Sequence, residues 1–331
     1  MILFCLVAFF SFAQEDSEDD DIKVGLVLSG GGAKGLAHIG ALKVIEESGL
    51  RIDYIAGTSM GAIVGGLYAS GFSADQLEYI FSRIDLDELI NDKTPREIKS
   101  FQEKEDEERR ALTLPFSRFK ISFPQSLSSG QNNYNTFVEL LDHVKDVDDF
   151  SKLPIPFFCI ATNVETGEEV VLDKGFLPQA IAASGALPSL FEPVFIDDKL
   201  LLDGGIVNNY PIYKLKEKGV DVIVGVDVQD ALKDKEALKT LSNVLLQISN
   251  FQTQRQMQSK AEDTDVYIKP DITDFSIMSF NKGEAILRSG NDAAKEHLGD
   301  LIRLKERQRK SAPRQPLLFN PNKEISIESL E

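Results

Sequence analysis

The chain has 331 residues, of which 42% are hydrophobic and 27% are charged, and its formal net charge is −17. These values are typical of a globular domain with a substantial core. The negative charge argues against broad nucleic-acid binding, which needs lysine and arginine side chains against phosphate, and against general attraction to anionic lipid.

The N-terminal segment has the pattern of a secretory signal peptide. Residues 2–12 are apolar and uncharged, and they are too few to span a bilayer as a helix. Ser11 and Ala13 stand three residues and one residue before a cleavage point at Gln14. We therefore predict a signal peptide over residues 1–13, an acidic spacer over 14–21, and export to the periplasm, the outer membrane or the extracellular space. A short anchor or a misassigned start is the alternative.

From Ile22 onward, predicted strands and helices alternate. Apolar runs predict strands at 21–29, 51–57, 156–164, 169–173, 221–228 and 264–272, and a hairpin followed by a loop over 194–205. Helical patterns cover 34–48, 60–71, 73–84, 135–145, 177–188, 211–219, 235–262 and 282–310. The alternation predicts an α/β domain over residues 22–310, with a mostly parallel sheet covered on both faces.

Two further segments are less regular. Segment 112–128 places phenylalanines between turn signals and is predicted to form a hairpin or a flap. The tail, 311–331, is predicted to be a linker followed by the start of a possible further module, because it ends in an alternating, strand-like pattern after a proline-containing stretch.

The strongest chemical signal is GTSMG at residues 57–61, a G-x-S-x-G pattern between a predicted strand and a predicted helix of small residues. This is the context of a nucleophile elbow, in which a tight turn lifts a serine hydroxyl above the C-terminal edge of a sheet. Ser59 is therefore the candidate nucleophile. A plain strand-to-helix turn is the alternative.

A glycine-rich loop, GGGAKG at 30–35, ends the preceding strand and opens onto a helix. Parallel strands end at one edge of a sheet, so the N–H groups of Gly31 and Gly32 are expected to converge with the Ser59 hydroxyl. Fixed donors of this kind stabilise a tetrahedral oxyanion, each by about 3–4 kcal/mol. Lys34 is the only charge in the loop, and the alternatives for it are a solvated side chain or an ion pair at the helix start.

A serine nucleophile needs a proton acceptor within hydrogen-bond reach. The chain has three histidines, His38, His143 and His297, and each falls in a helical pattern, so each is predicted to be structural or on the surface. Asp203, in DGG at 203–205, is the candidate acceptor. Its free pKa of about 3.9 makes it a weak base, so either burial must raise that pKa or the transition state must supply the stabilisation. From these residues alone, an ordinary Asp-Gly turn remains the alternative.

Four motifs together resemble the patatin-like phospholipases, and the resemblance extends over about residues 22–300. The motifs occur in the family's order: GGGAKG at 30–35, GTSMG at 57–61, ASGALPSLFEPV at 183–194 and DGGIVNNYP at 203–211. The resemblance implies a three-layer αβα sandwich and hydrolysis of ester-linked acyl chains through an acyl-enzyme, without a cofactor or a metal.

The same resemblance implies a catalytic dyad of Ser59 and Asp203. It also implies an oxyanion hole formed by the loop residues Gly30, Gly31, Gly32, Lys34 and Gly35. The export signal and the tail are similar to those of bacterial members in which this domain precedes a polypeptide-transport-associated module and an outer-membrane barrel. We expect a phospholipid or another acyl-ester lipid as substrate, peripheral contact with a membrane surface, and no nucleic-acid partner. Segment 112–128 is the candidate interfacial element, with a plain hairpin as the alternative.

Other function classes remain open. The glycines of GGGAKG also satisfy a dinucleotide-binding pattern, which requires an acid at the end of the second strand; Asp53 lies near that strand's start instead. GTSM also occurs in subtilisin-like proteases, but those place Asp and His upstream, and only 58 residues precede Ser59. A catalytically weak interaction module on the same scaffold is a further alternative.

Overall fold

A computed structural model of the protein describes residues 21–84, 128–232 and 241–309, the pairs 116–117 and 120–121, and positions 126, 235, 238 and 317. The predicted signal peptide, nearly all of the acidic spacer, and the tail apart from Leu317 lie outside the described residues. So does most of segment 112–128.

One sheet of eight strands forms the centre of the domain. Its strands are β1 (Val24–Leu28), β2 (Tyr54–Thr58), β5 (Phe157–Asn163), β6 (Glu169–Leu172), β7 (Val194–Ile196), β8 (Lys199–Asp203), β9 (Val222–Val226) and β10 (Val266–Ile268). Hydrogen-bonded pairing runs β10-β9-β1-β2-β5-β8-β7; β2 and β8 pair with one edge of β5 at different positions along it, and β6 pairs with the other edge. The parallel strands are β10, β9, β1, β2 and β5. Strands β6, β7 and β8 join the sheet in antiparallel pairs.

A separate antiparallel pair lies within segment 112–128. It consists of β3 (Phe116–Ser117) and β4 (Lys120–Ile121). This pairing agrees with the predicted hairpin at residues 116–121.

Helices cover both faces of the sheet. They are α1 (Ala37–Ser48), α2 (Met60–Ala69), α3 (Ala74–Arg83), α4 (Gln131–Leu140), α5 (Leu177–Ser184), α6 (Ile212–Lys216), α7 (Leu241–Glu262), α8 (Gly283–Glu296) and α9 (Leu298–Arg307). Successive strand side chains point to opposite faces. Leu26 and Leu28 join the core beneath α1, α2 and α8, whereas Val27 joins the layer beneath α6 and α7. The predicted αβα sandwich with a mostly parallel sheet is confirmed.

Several predicted helices differ in their bounds: the one predicted over 135–145 is the α-helix Gln131–Leu140 followed by a 3-10 turn, and the one predicted over 211–219 spans Ile212–Lys216. The single helix predicted over 282–310 is wrong: α8 and α9 meet at His297, where φ is −99° and ψ is 5°. Both helices contact α1. Their apolar pattern therefore continues through the corner at His297, and the sequence periodicity does not show where one helix ends and the next begins. The helix predicted over 34–48 begins as a 3-10 turn, Gly32–Leu36, before α1.

The helix predicted over 177–188 ends at Ser184 rather than at Pro188. Beyond it, the Ala186 carbonyl turns to accept the Asp203 N–H at 2.9 Å, which ties this segment to β8. None of the helices in the part of the chain that the structure describes is long and apolar enough to cross a bilayer.

Candidate active site

Ser59 occupies a sharp turn between β2 and α2, with φ 55° and ψ −125°. Residues other than glycine rarely adopt a positive φ, and such strain is concentrated at functional sites. The Ser59 N–H donates to Ser184 Oγ at 3.0 Å, and the Ser184 hydroxyl donates to the Ile160 carbonyl at 2.6 Å. A Cβ on Gly61 would lie 2.2 Å from the Leu28 carbonyl oxygen, so only glycine fits there. The geometry is that of a nucleophile elbow.

Ser59 and Asp203 meet because β2 and β8 abut along one edge of β5. Thr58, the last residue of β2, pairs with Ile160, and Asp203, the last residue of β8, pairs with Ala161. Strand β6 occupies the opposite edge of β5 along this stretch, so β2 and β8 must share the remaining edge. The Ser59 hydroxyl donates to Asp203 Oδ2 at 2.5 Å.

The Asp203 carboxylate is buried, with only 2% of the residue exposed. Its Oδ1 accepts the Gly205 N–H at 2.7 Å, and its main-chain carbonyl accepts the Thr162 hydroxyl at 2.8 Å. Burial raises the pKa of Asp203 to about 6, against the lowering effect of the hydrogen bonds from Ser59 and Gly205. A carboxylate with this pKa is a stronger base than an exposed aspartate and is still ionised at neutral pH.

The glycine loop lies directly against the serine. The Gly30 N–H donates to Asn209 Oδ1 at 3.1 Å, and Asn209 Nδ2 donates back to the Gly30 carbonyl at 3.3 Å. A Cβ on Gly30 would lie 2.9 Å from Ser59 Cβ. Among the residues that the structure describes, the N–H groups of Gly31 and Gly32 donate to no protein acceptor, and both residues line the cavity in front of Ser59.

Lys34 is buried in this loop with 1% of its side chain exposed, and it forms an ion pair with Asp230. Its main-chain N–H donates to the Gly31 carbonyl at 3.3 Å. The solvated alternative for Lys34 is therefore wrong, and the ion-pair alternative holds. A Cβ on Gly35 would lie 2.3 Å from Met60 Cγ, so this glycine lets the loop pack on α2.

A cavity of about 810 Å³ opens in front of Ser59 and Asp203. Its volume falls in the range of small-molecule binding sites. Most of the lining is apolar, and it includes Ile63, Leu67, Phe81, Phe137, Phe191 and Phe280. A site with one buried hydroxyl–carboxylate pair and apolar walls is suited to a long hydrocarbon chain that carries a single polar reacting group.

None of the three histidines lines this cavity. His38 Nε2 lies 2.8 Å from the Ser29 carbonyl oxygen, and burial lowers the pKa of His38 to about 4. His143 Nε2 lies 3.0 Å from the Ser70 carbonyl oxygen, and His297 contacts Asp300 on α9. The predicted structural or surface roles of the histidines agree with these positions.

The dinucleotide-binding pattern is incomplete in the structure. Asp53 Oδ2 accepts the Val24 N–H at 2.8 Å, and its Oδ1 accepts from Arg51 Nε at 2.6 Å. Asp53 therefore lies at the start of β1 and β2, at the edge of the sheet opposite the glycine loop. In the described parts of the chain, no group of three or more His, Cys, Asp or Glu side chains is arranged to hold a metal ion.

Two residues with clear positions in the site were not singled out from the sequence. Ser184 Oγ accepts a hydrogen bond from the Ser59 N–H, and Asn209 holds the glycine loop by accepting a hydrogen bond from the Gly30 N–H. Both lie in motifs that carry the family resemblance, ASGALPSLFEPV and DGGIVNNYP. Their membership in those motifs was the available signal, but their contacts depend on the fold.

Comparisons with known proteins identify the family of the chain. A family model described as patatin-like phospholipase matches residues 26–216. Lysophospholipase NTE1 of Candida glabrata is 29% identical over 300 residues, which cover 83% of this chain and 16% of that protein. Lysophospholipase NTE1 of Saccharomyces cerevisiae is 28% identical over 304 residues, which cover 84% of this chain and 17% of that protein. The chain thus spans less than a fifth of the length of either relative.

Among solved structures, VipD from Legionella pneumophila aligns at 17% identity with a TM-score of 0.48, covering 85% of this chain and 67% of that chain. The family model covers more than half of the chain and includes the glycine loop, the elbow and Asp203. The chain belongs to the patatin-like phospholipase family.

Proposed function

We propose that the protein is a lipid acyl hydrolase of the phospholipase A or lysophospholipase type, with Ser59 as nucleophile and Asp203 as general base. The observation that carries the proposal is the 2.5 Å hydrogen bond from Ser59 Oγ to Asp203 Oδ2, facing an apolar cavity. The family match and the lysophospholipase relatives support the same class of reaction.

In the acylation step, Ser59 Oγ attacks the ester carbonyl carbon and its proton passes to Asp203 Oδ2. The carbonyl oxygen becomes an oxyanion. The tetrahedral intermediate then breaks the bond between the carbonyl carbon and the alcohol oxygen, and Asp203 gives its proton to the departing alcohol. An acyl chain remains esterified to Ser59.

In the deacylation step, a water molecule attacks the acyl carbon and its proton passes to Asp203. The bond from the acyl carbon to Ser59 Oγ breaks, and Ser59 recovers the proton from Asp203. A free fatty acid leaves the site. One carboxylate thus serves as base and acid in turn.

The N–H groups of Gly31 and Gly32 are the proposed oxyanion donors, because they line the cavity and are not used within the described structure. Gly30, Lys34 and Gly35 set the shape of the loop through Asn209, Asp230 and α2. Donors that are fixed before reaction stabilise charge that develops in the transition state without reorganising.

The apolar walls are the proposed acyl-chain site, since each methylene group removed from water contributes about 0.8 kcal/mol.

From sequence features alone, we further propose that residues 1–13 direct export and that residues 311–331 lead into a further module, as in barrel-linked members of the family. N-terminal sequencing of the secreted protein tests the first point: a mature chain beginning at Gln14 supports it, and retention of residues 1–13 contradicts it.

The proposed reaction is tested by measuring fatty acid release from lysophosphatidylcholine and from a diacyl phospholipid. We expect hydrolysis by the wild type and a loss of kcat of roughly a thousandfold or more in Ser59→Ala and Asp203→Ala. Exposed control variants Ser82→Ala and Asp263→Asn should retain wild-type kcat. Near-normal turnover by Asp203→Ala would overturn the dyad. Failure of the folded wild type to cleave any acyl ester would support the interaction-module alternative.

A further inference from the structure

The segment at residues 204–209, which directly follows Asp203, is bonded to each part of the candidate site. The Asn208 N–H donates back to the carbonyl of the residue after Asp203 at 2.9 Å. The hydroxyl of Thr58, the residue before the nucleophile, donates to the Asn208 carbonyl at 3.0 Å. The next residue, Asn209, holds the glycine loop. The position of this segment therefore bears on the serine turn, the base and the loop together.

The Asn208 side chain is held between two charged groups. Lys260 Nζ, on α7, donates to Asn208 Oδ1 at 2.7 Å. Asn208 Nδ2 donates to Glu169 Oε2, on β6, at 2.6 Å. An ammonium group only donates and a carboxylate only accepts, so one orientation of the amide satisfies both partners. Asn208 thus connects α7 to β6 across the segment that follows the base.

This network lies on the face of the sheet opposite α2. Thr58 is two residues beyond Ala56, which belongs to the layer beneath α6 and α7, and strand residues two apart share a face. Helix α7 also packs against residues 204–206. Neither Lys260 nor Asn208 lines the cavity in front of the dyad. An effect of Lys260 on the reaction must therefore pass through the main chain and not through contact with the substrate.

Lys260 is an unfavourable residue for packing alone. It is 3% exposed, and in the described part of the chain its ammonium group forms no ion pair and has Asn208 as its one hydrogen-bond partner. A buried charge that is bonded only to a neutral amide destabilises a fold. Burial lowers the pKa of Lys260 to about 8, against the raising effect of Glu169. A charge held under such conditions indicates a functional role.

We propose that Lys260 is a positioning residue for the dyad. Its ammonium group fixes Asn208, and Asn208 fixes the main chain on both sides of the reacting pair. The proposal rests on the proposed function, because it names a further residue on which the same reaction depends. The pKa of Asp203 is shifted by its own burial and by its hydrogen bonds from Ser59 and Gly205, so Lys260 acts by position and not by its field on the base.

The role of Lys260 is tested by steady-state kinetics of the full chain on a soluble short-chain ester. Lys260→Met removes the charge from a side chain of similar length. We expect kcat to fall about tenfold or more, because a small displacement of reacting groups lowers the rate steeply, and KM to stay within about twofold. The matched control is Arg255→Met, which removes an exposed cation from the same helix and should keep the wild-type kcat.

A double-variant cycle tests whether the effect passes through Asn208. Asn208→Leu removes both side-chain hydrogen bonds at similar size. If Lys260 acts through this amide, the loss of kcat in Lys260→Met/Asn208→Leu should be no greater than that of the more impaired single variant. Losses that multiply would show that the two residues act independently and would overturn the proposal.

The pH dependence gives a readout that packing alone would not produce. After the rise near pH 6, the kcat of the wild type should fall as the pH passes about 8, where Lys260 loses its proton. Lys260→Gln keeps a donor toward Asn208 but does not titrate, so its kcat should not fall there. Lys260→Gln also carries the kinetic test if Lys260→Met does not fold.

Other titratable groups stand on the elements around Lys260. In the described residues they are Glu169 on β6, Tyr210 after the 204–209 segment, Tyr213 and Lys216 on α6, and Asp263 after α7. All of them remain in Lys260→Gln. Loss of the alkaline fall in that variant would therefore assign the fall to Lys260.

Two results would overturn the proposal directly. One is a wild-type kcat in Lys260→Met, and the other is an alkaline fall that persists in Lys260→Gln. A raised KM with unchanged kcat would also overturn it, since Lys260 would then act on binding. Failure of the proposed function is distinguishable, because the wild type would then cleave no ester at any pH.

Discussion

The Ser59 hydroxyl and the Asp203 carboxylate are held 2.5 Å apart by the ends of two strands that share one edge of β5. Thr58, which precedes Ser59, pairs with Ile160 of that strand, and Asp203 pairs with the adjacent residue Ala161. The hydroxyl and its acceptor are thus in contact without a bridging histidine. Such a pair is preorganised, so little of the binding energy of a substrate is needed to assemble it.

The pH dependence of the reaction should report the pKa of Asp203. Only the ionised carboxylate accepts the Ser59 proton, and burial raises the pKa of Asp203 to about 6. We predict that kcat/KM for an uncharged soluble ester rises with pH through about 6 and then levels off. A kcat/KM that does not change between about pH 5 and about pH 8 would contradict Asp203 as the base.

Asp203→Asn should stabilise the fold at high pH and not at low pH. The pKa of Asp203 is raised from 3.8 to about 6 in the folded state, so the stability contributed by the protonated form is present below about 4 and is lost as the pH rises through about 6. Removing the charge should therefore increase the free energy of unfolding by up to roughly 3 kcal/mol at pH above 7, and by little near pH 4.

Urea unfolding at both pH values measures this difference, with Asp263→Asn as the control for an exposed carboxylate. The same gain for Asp203→Asn at both pH values would show that Asp203 is not held in an unfavourable charged state. We expect Asp203→Asn to gain stability and lose activity, because the buried charge that destabilises the fold is the one the reaction needs.

Ser184→Ala should impair both the elbow and its stability. The variant leaves the Ser59 N–H without its 3.0 Å acceptor, and an unpaired buried donor is unfavourable by about 1–3 kcal/mol. We predict a lower thermal unfolding temperature and a kcat reduced by about tenfold or more. Ser184→Thr, which keeps the hydroxyl, should recover much of kcat. Unchanged kcat and unfolding temperature in Ser184→Ala would show that the elbow does not depend on this bond.

Histidine variants should leave the pH profile intact. His143→Asn and His297→Asn should retain kcat/KM within about twofold, because neither ring lines the cavity. His38→Asn should lower stability, since His38 is buried against Ser29. All three variants should still show the rise in activity near pH 6 that Asp203 produces. Loss of that rise in any one of them would identify a histidine as the proton acceptor.

The elbow was predictable because its signals are local. A strand, a G-x-S-x-G turn and a helix of small residues follow one another within a short stretch of chain, and the strained φ of Ser59 lies where the pattern indicates. Local signals of the same kind mark other helix ends: Ser73 caps α3, and Gly49 is left-handed just past the end of α1.

The partner of Ser59 was not predictable from the DGG sequence alone. Asp203 reaches Ser59 only because β8 pairs antiparallel with β5, and the two catalytic candidates are 144 residues apart. The two hydrogen bonds between Gly30 and Asn209 join residues 179 positions apart. Lys34 is buried because the fold brings Asp230 to it. Contacts of this kind depend on strand order, which a single sequence pattern does not specify.

The Ser59–Asp203 dyad is tested most directly by labelling with a fluorophosphonate and locating the adduct by peptide mass spectrometry. We predict an adduct on Ser59 in the wild type, none at that position in Ser59→Ala, and labelling slowed by about a hundredfold or more in Asp203→Asn, which fills the same space but cannot accept the proton. An adduct on another residue, or Asp203→Asn labelled as fast as the wild type, would contradict the dyad.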